Sequence, residues 1–142
     1  MPDTVDDTKK LVREYKTMWN ERDYEAIPEL VTESFELHEP AIPEGKHGYD
    51  GMEEFLEVII DSFPDFEVTP TEILVDGDTV MAETEYSLTQ EGEFNGIPPT
   101  GNTAEMTTME KIVLEDGKVK ENYIYYDQFE FMGELGVDPK QL

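Results

Sequence analysis

Residues 103–127, TAEMTTMEKIVLEDGKVKENYIYYD, decide how the second half of the chain folds. Residues 103–114 read as one strand. EDGK at 115–118 contains the Asp-Gly pair favoured in a tight hairpin turn, and residues 119–127 return. Side chains alternate across a strand. The return leg therefore puts Tyr123, Tyr125, Asp127, Phe129 and Phe131 on one face, and Ile124, Tyr126, Gln128 and Glu130 on the other. A single carboxylate, Asp127, falls on the aromatic face. Upstream, residues 79–90 alternate, with Val80, Ala82, Thr84, Tyr86 and Leu88 on one side. DGD at 76–78 turns that strand back onto another at 66–75. GEFNGIPPTGN at 92–102 is a long turn, so the second half is a four-strand meander.

The first half has a helical period. Leu11, Val12, Tyr15, Met18 and Trp19 mark an amphipathic helix over residues 6–20. NERDYEAIPELV continues as a short second helix, with Asp23 at its N-cap and Ala26, Ile27, Leu30 and Val31 inward. SFELHEP is a short strand stopped by Pro40, and AIPEGKHGYDG is a loop. A third helix runs from about Tyr49 to Ser62 and breaks at Pro64. FEFMGELG closes the chain as a helical turn. Without repeats or a linker, residues 1–142 read as one α+β domain. Its expected form is a curved antiparallel sheet wrapped over the helices, enclosing a pocket open at one end.

The charge is extreme. Thirty-five acids face 10 lysines and arginines, a net −25. Nucleic acid and anionic membranes would be repelled, so neither is an expected partner. The acids are spread along the chain rather than gathered in a tail. That distribution suits a halophilic cytoplasm, where concentrated salt screens a dense carboxylate surface. There is no cysteine. No apolar run approaches the roughly 20 residues of a membrane span. With no signal peptide visible, a soluble cytoplasmic protein is expected.

The order of the pieces carries a resemblance. WNERD after an amphipathic helix, ELHEP and then glycine, FPDF, DGD, GEFNGIPPTGN and EDGKVKENYIYYD resemble the SnoaL-like polyketide cyclases, or ester cyclases, of the NTF2-like superfamily. The resemblance covers nearly the whole chain. It implies a conical pocket, dimerisation through the sheet and no cofactor. Characterised members close polyketide rings by intramolecular aldol chemistry with a strand carboxylate as acid and base, which matches Asp127. Many members also carry Thr-His-x-Gly before the GEF stretch. Here Thr89-Gln90-Glu91-Gly92 puts Gln90 in the histidine's place, and a glutamine cannot shuttle a proton.

The expected ligand is a small apolar carbonyl compound. A desolvated Asp127 would serve as the general base, with Gln90, Tyr123 or Tyr125 as donor to the developing enolate oxygen. Asp127-x-x-Glu130 also fits a capping box for the closing helical turn. Trp19, His38 and Met109 complete the expected substrate contacts, and core packing is the plainer role for Trp19 and Met109. His38 and His47 lack metal-ligand spacing, so no metal is expected. A cyclase or isomerase, a non-catalytic binding protein and a self-filled scaffold all remain compatible with these residues.

Overall fold

The computed structural model describes residues 4–137. Helix α1 (Val5–Glu21) opens where the Thr4 side chain accepts a hydrogen bond from the Asp7 N–H. A 3-10 turn (Tyr24–Ala26) and the single-turn α2 (Ile27–Leu30) lead into β1 (Val31–Glu39) and β2 (Ile42–His47). Helix α3 (Gly48–Ser62) follows. Then come β3 (Glu67–Asp76), β4 (Thr79–Thr89), β5 (Thr103–Glu115), β6 (Lys118–Tyr125) and α4 (Gln128–Glu134). The expected four-strand meander is present, and Val80, Ala82, Tyr86 and Leu88 of β4 face the core as the alternation requires.

Two features differ from expectation. AIPEGKH is largely a strand, β2, paired antiparallel with β1 through Leu37 opposite Lys46. The sheet is therefore six-stranded, in the order β2-β1-β6-β5-β4-β3. It is also mixed, because β1 runs parallel to β6, with Leu37 opposite Asn122 and His38 opposite Tyr123. The long connection between these strands, through β2, α3 and β3–β5, permits a parallel neighbour, which a hairpin does not.

The curved sheet covers α1 and α3 with one face. Val12, Tyr15 and Trp19 of α1 and Met52 and Leu56 of α3 are fully buried against it. Asn20 fixes the end of α1 to the edge strand β3. Its Nδ2 donates to the Val68 carbonyl and its Oδ1 accepts from the Val68 N–H, both at 2.8 Å. The side chain thus mimics a neighbouring strand and covers an open edge.

Inside, an ion pair joins helix to sheet. Lys16 and Glu110 are 1% and 0% exposed, with Nζ to Oε1 at 2.8 Å. All four acceptor positions of Glu110 are filled. Asn122 Nδ2 shares Oε1 at 3.0 Å, while Tyr86 Oη and Thr108 Oγ1 donate to Oε2 at 2.8 and 2.9 Å. Tyr15 Oη donates to Asn122 Oδ1, and the Lys16 ammonium lies 3.7 Å from the centre of a Trp19 ring. Burial pulls Lys16 below its ordinary range, and Glu110 opposes that shift. Burial alone would raise Glu110, but Lys16, Asn122 and Tyr86 together hold it below the usual carboxylate range.

Removing one partner strands the other charge, so Lys16→Met or Glu110→Leu should each cost about 3–5 kcal/mol in denaturant melts. The double variant should cost less than their sum. Glu110 titrates lower when folded than when unfolded, so its stabilisation is present above the unfolded value and lost as pH falls through the folded one. The double variant should therefore lose less stability on acidification than the wild type.

Candidate active site

The inner face of the sheet carries a second carboxylate, Glu39 of β1. Phe35, Leu37 and Glu39 share one side of that strand, and the first two are fully buried. Glu39 lies at the β1–β2 turn, opposite Ile42. No lysine or arginine pairs with it among the described residues. Tyr126 Oη donates to its Oε2 at 2.7 Å, and the Ala41 backbone N–H also reaches it. Burial pushes the Glu39 carboxyl up, and these two hydrogen bonds only partly offset the rise. Burial next to Glu39 likewise raises the Tyr126 hydroxyl, which stays a donor.

Glu39 lines two adjoining hollows. The inner one is apolar and narrow, about 40 Å³. Phe55 and Ile59 of α3 and Phe63 just beyond it form one wall. Tyr86, Leu88, Met106 and Ile124 of the sheet form another, while Phe66, Phe94, Tyr126 and Phe131 complete it. The outer one is an open cleft of about 240 Å³ lined by His38, Pro40, Ile42, Pro43 and Tyr125. Glu39 and Ile124 border both, so Glu39 stands at the neck between them, its carboxyl tied to Tyr126 of the inner hollow. A larger groove, about 390 Å³, lies over the outer sheet face among Glu67, Glu85 and Glu105. Those carboxylates are solvent-exposed, so that groove lacks the desolvation that tunes an acid or base.

A two-residue turn shapes the inner hollow. Asn95 and Gly96 both have positive φ, 48° and 80°, and Phe94 and Ile97 exchange backbone hydrogen bonds across them. This is the Asn-Gly hairpin geometry, and it supplies Phe94 to the hollow. Gln90 anchors the turn from beneath. Its Nε2 is shared among the carbonyls of Gly92, Ile97 and Pro98, and its Oε1 accepts from Thr100. Gly92 lies so close to α3 that a Cβ there would come within 2.3 Å of the Asp61 carbonyl oxygen.

The expected site residues divide accordingly. Asp127 is exposed, outside both hollows. It caps α4, accepting the Glu130 N–H at 3.0 Å, so the capping role holds and the pocket placement does not. Its strand neighbours explain the correction. A register shift near Val113 and Leu114 leaves Asn122 and Ile124 inward, which turns Tyr123 and Tyr125 outward. Tyr123 stacks on His38 outside the sheet and hydrogen-bonds Glu121. Met109, also on the outer face, is 51% exposed rather than at a pocket wall. Gln90 is fully buried and holds a loop instead of facing a ligand. Trp19 is core. His38 and Tyr125 do reach the outer cleft. Glu39 was missed, although its alternation with Phe35 and Leu37 was visible.

The family profile of the SnoaL-like polyketide cyclases matches residues 9–135. The chain belongs to that family. Among solved structures, TsrD of Streptomyces laurentii superposes with a TM-score of 0.84 at 20% identity, covering 96% of this chain and 100% of that one. A Jannaschia sp. CCS1 protein, provisionally described as a SnoaL-like polyketide cyclase, gives 0.84 at 22%, covering 98% and 99%. IdmH of Streptomyces antibioticus, provisionally described as a polyketide cyclase, gives 0.78 at 26%, covering 92% and 99%. A comparison with curated proteins gives no match.

Asp127→Asn should leave stability nearly unchanged, because the two residues cap helices about equally well, whereas Asp127→Ala should cost about 1 kcal/mol. Gln90→Ala strands buried carbonyls and should cost about 1–3 kcal/mol or more. Thermal melts of the three variants check both statements.

Proposed function

We propose that the chain is a cyclase- or isomerase-type enzyme that moves a proton on a small apolar carbonyl compound, with Glu39 as the proton carrier. The observation that carries this reading is a desolvated carboxyl without a cationic partner, placed at the neck of an apolar hollow. Such a group has its proton affinity moved from the ordinary carboxylate range toward neutrality, where a general acid or base works best. Substrate in the outer cleft would bring a C–H bond alpha to a carbonyl against Glu39. Tyr126 holds the carboxylate in one orientation through its hydrogen bond. His38 and Tyr125, lining the same cleft, are the available donors to the developing enolate oxygen. The scheme uses only these side chains and needs no cofactor. Family membership supports a cyclase-type activity; the aldol step and the substrate belong to this proposal.

The narrowness of the inner hollow favours a second reading. About 40 Å³ is little more than the space of one water molecule, roughly 30 Å³. A protein that binds ligand only in the outer cleft, without turnover, would look the same.

The outer sheet face supports a homodimer. Leu74, Met81, Met109 and Tyr125 are 65%, 47%, 51% and 62% exposed there. Register places Leu74 beside Met81 and Met109 beside Tyr125. Glu83 and Glu85 lie on the same face, so pairing two copies calls for screening of their charges. A halophilic cytoplasm would supply that screening. Sedimentation across a salt series should show dimer increasing with salt, and melting temperature rising with it.

Glu39→Gln keeps the shape and removes the proton acceptor. Turnover on a carbonyl substrate should fall about 10²-fold or more. The same change should stabilise the protein at high pH. A folded value raised above the unfolded one gives a stability contribution that is present below the unfolded value and lost as pH rises through the folded one. Replacing the acid removes that loss, and the gain should vanish in acid. Wild-type turnover unaffected by the substitution would overturn the assignment.

A further inference from the structure

The two hollows around Glu39 have an unbalanced charge. Among the described residues, no lysine or arginine lines either of them, and Glu39 is their one carboxylate. His38 is the other titratable group able to carry a positive charge there, and it lies in the outer cleft. A carboxylate offers about four acceptor positions, and Tyr126 and Ala41 account for two. The walls add aromatic rings, whose faces are electron-rich. Phe63, Phe94 and Phe131 are mutual neighbours, with centroids 5.1 to 6.1 Å apart, and Tyr126 lies 5.8 Å from Phe131. A cation beside Glu39 would gain both a charge-assisted hydrogen bond and the field of these rings.

Size narrows the class. The inner hollow holds one group about as large as a water molecule, and the outer cleft, about 240 Å³, can take a ring or a short chain. An –NH₃⁺ group is water-sized and presents three donors. A trimethylammonium head is too large and has none. We propose that the Glu39 neck binds the primary ammonium group of an amine whose apolar body lies in the outer cleft. The inference rests on reading these hollows as the ligand site, and it names a ligand class for them. A bound ammonium holds Glu39 ionised and unable to take up a proton, so amines compete with a carbonyl substrate and suppress its turnover.

The test uses four probes in a molar KCl background, which screens attraction to the acidic surface. They are benzylammonium, its neutral analogue benzyl alcohol, the anion benzoate, and the oversized benzyltrimethylammonium. Binding is read from the isoleucine methyl resonances of Ile59 and Ile124, which line the inner hollow, against Ile73 on β3. Benzylammonium should bind about tenfold or more tighter than benzyl alcohol, the discrimination expected from one hydrogen bond to a charged group. Benzoate and benzyltrimethylammonium should leave Ile59, which lines only the inner hollow, unmoved. Glu39→Gln should abolish the preference for the amine over the alcohol. The proposal is overturned if the alcohol binds as well as the amine or if the trimethyl compound binds equally. It is also overturned if the preference survives Glu39→Gln or if no probe shifts these methyls. Failure here, with turnover still dependent on Glu39, removes the amine site and leaves proton transfer standing. An amine preference without turnover does the reverse.

Discussion

Glu110 is the residue on which the rest of the structure depends. A buried carboxylate is tolerable only when its charge and its lone pairs are matched, because desolvation costs several kcal/mol per ion. Here the match is made by four elements at once: Lys16 from α1, Tyr86 from β4, Thr108 on the same strand as Glu110, and Asn122 from β6. Each donor arrives only if its element is in register. A slip of one residue in β5 would turn Glu110 outward and present Met109 or Lys111 to a cluster shaped for an acid. The cluster therefore selects one packing of helix on sheet more than it adds net stability.

That arrangement also sets Glu110 apart from the acid proposed as the proton carrier. The inner face of the sheet holds two carboxyls in opposite circumstances. Glu110 is saturated with donors and held ionised. Glu39 is desolvated with only Tyr126 and Ala41 to compensate, and its proton affinity rises. The surroundings push the two groups in opposite directions, which is the pattern the proposed proton transfer at Glu39 calls for. Tyr86 touches both regions. Its hydroxyl is fixed by Glu110 and Lys16, while its ring is part of the inner hollow wall. The Glu110 cluster thus sets the shape of the space beside Glu39.

Much of this was legible in the sequence, though not all. Helix period gave α1 and α3, and alternation with Asp-Gly turns gave the meander. The family could be read from the order of short motifs. The parallel pairing of β1 with β6 could not, because nothing in either strand specifies a partner so distant in sequence. Aromatic residues do not by themselves mark the inward face of β6. Tyr123 and Tyr125 instead cover the outside, and the inner positions fall to Asn122 and Ile124. Better signals were present. Lys16 falls four residues after Val12 and three before Trp19, on the buried side of α1. Glu110 shares the parity of Ala104, Ile112 and Leu114. Glu39 shares that of Phe35 and Leu37. A charge on the apolar side of a periodic element is more informative than an acid among aromatics.

The abundance of acids sharpens this point. With 35 acids in the chain, a carboxylate by itself carries almost no information about function. Cations are scarce, only 10 lysines and arginines, and one of them is spent in the core. Surface acids need no partner, since water and counterions solvate them. A buried acid does need one, and Glu110 has it. Glu39 is left with two neutral donors, the Tyr126 hydroxyl and the Ala41 N–H. The missing positive charge at the neck of the hollow is therefore a specific absence in the side-chain chemistry of the site. In the proposed proton transfer a proton would fill it, and in the proposed amine complex an ammonium group would. The two occupants compete for one carboxylate.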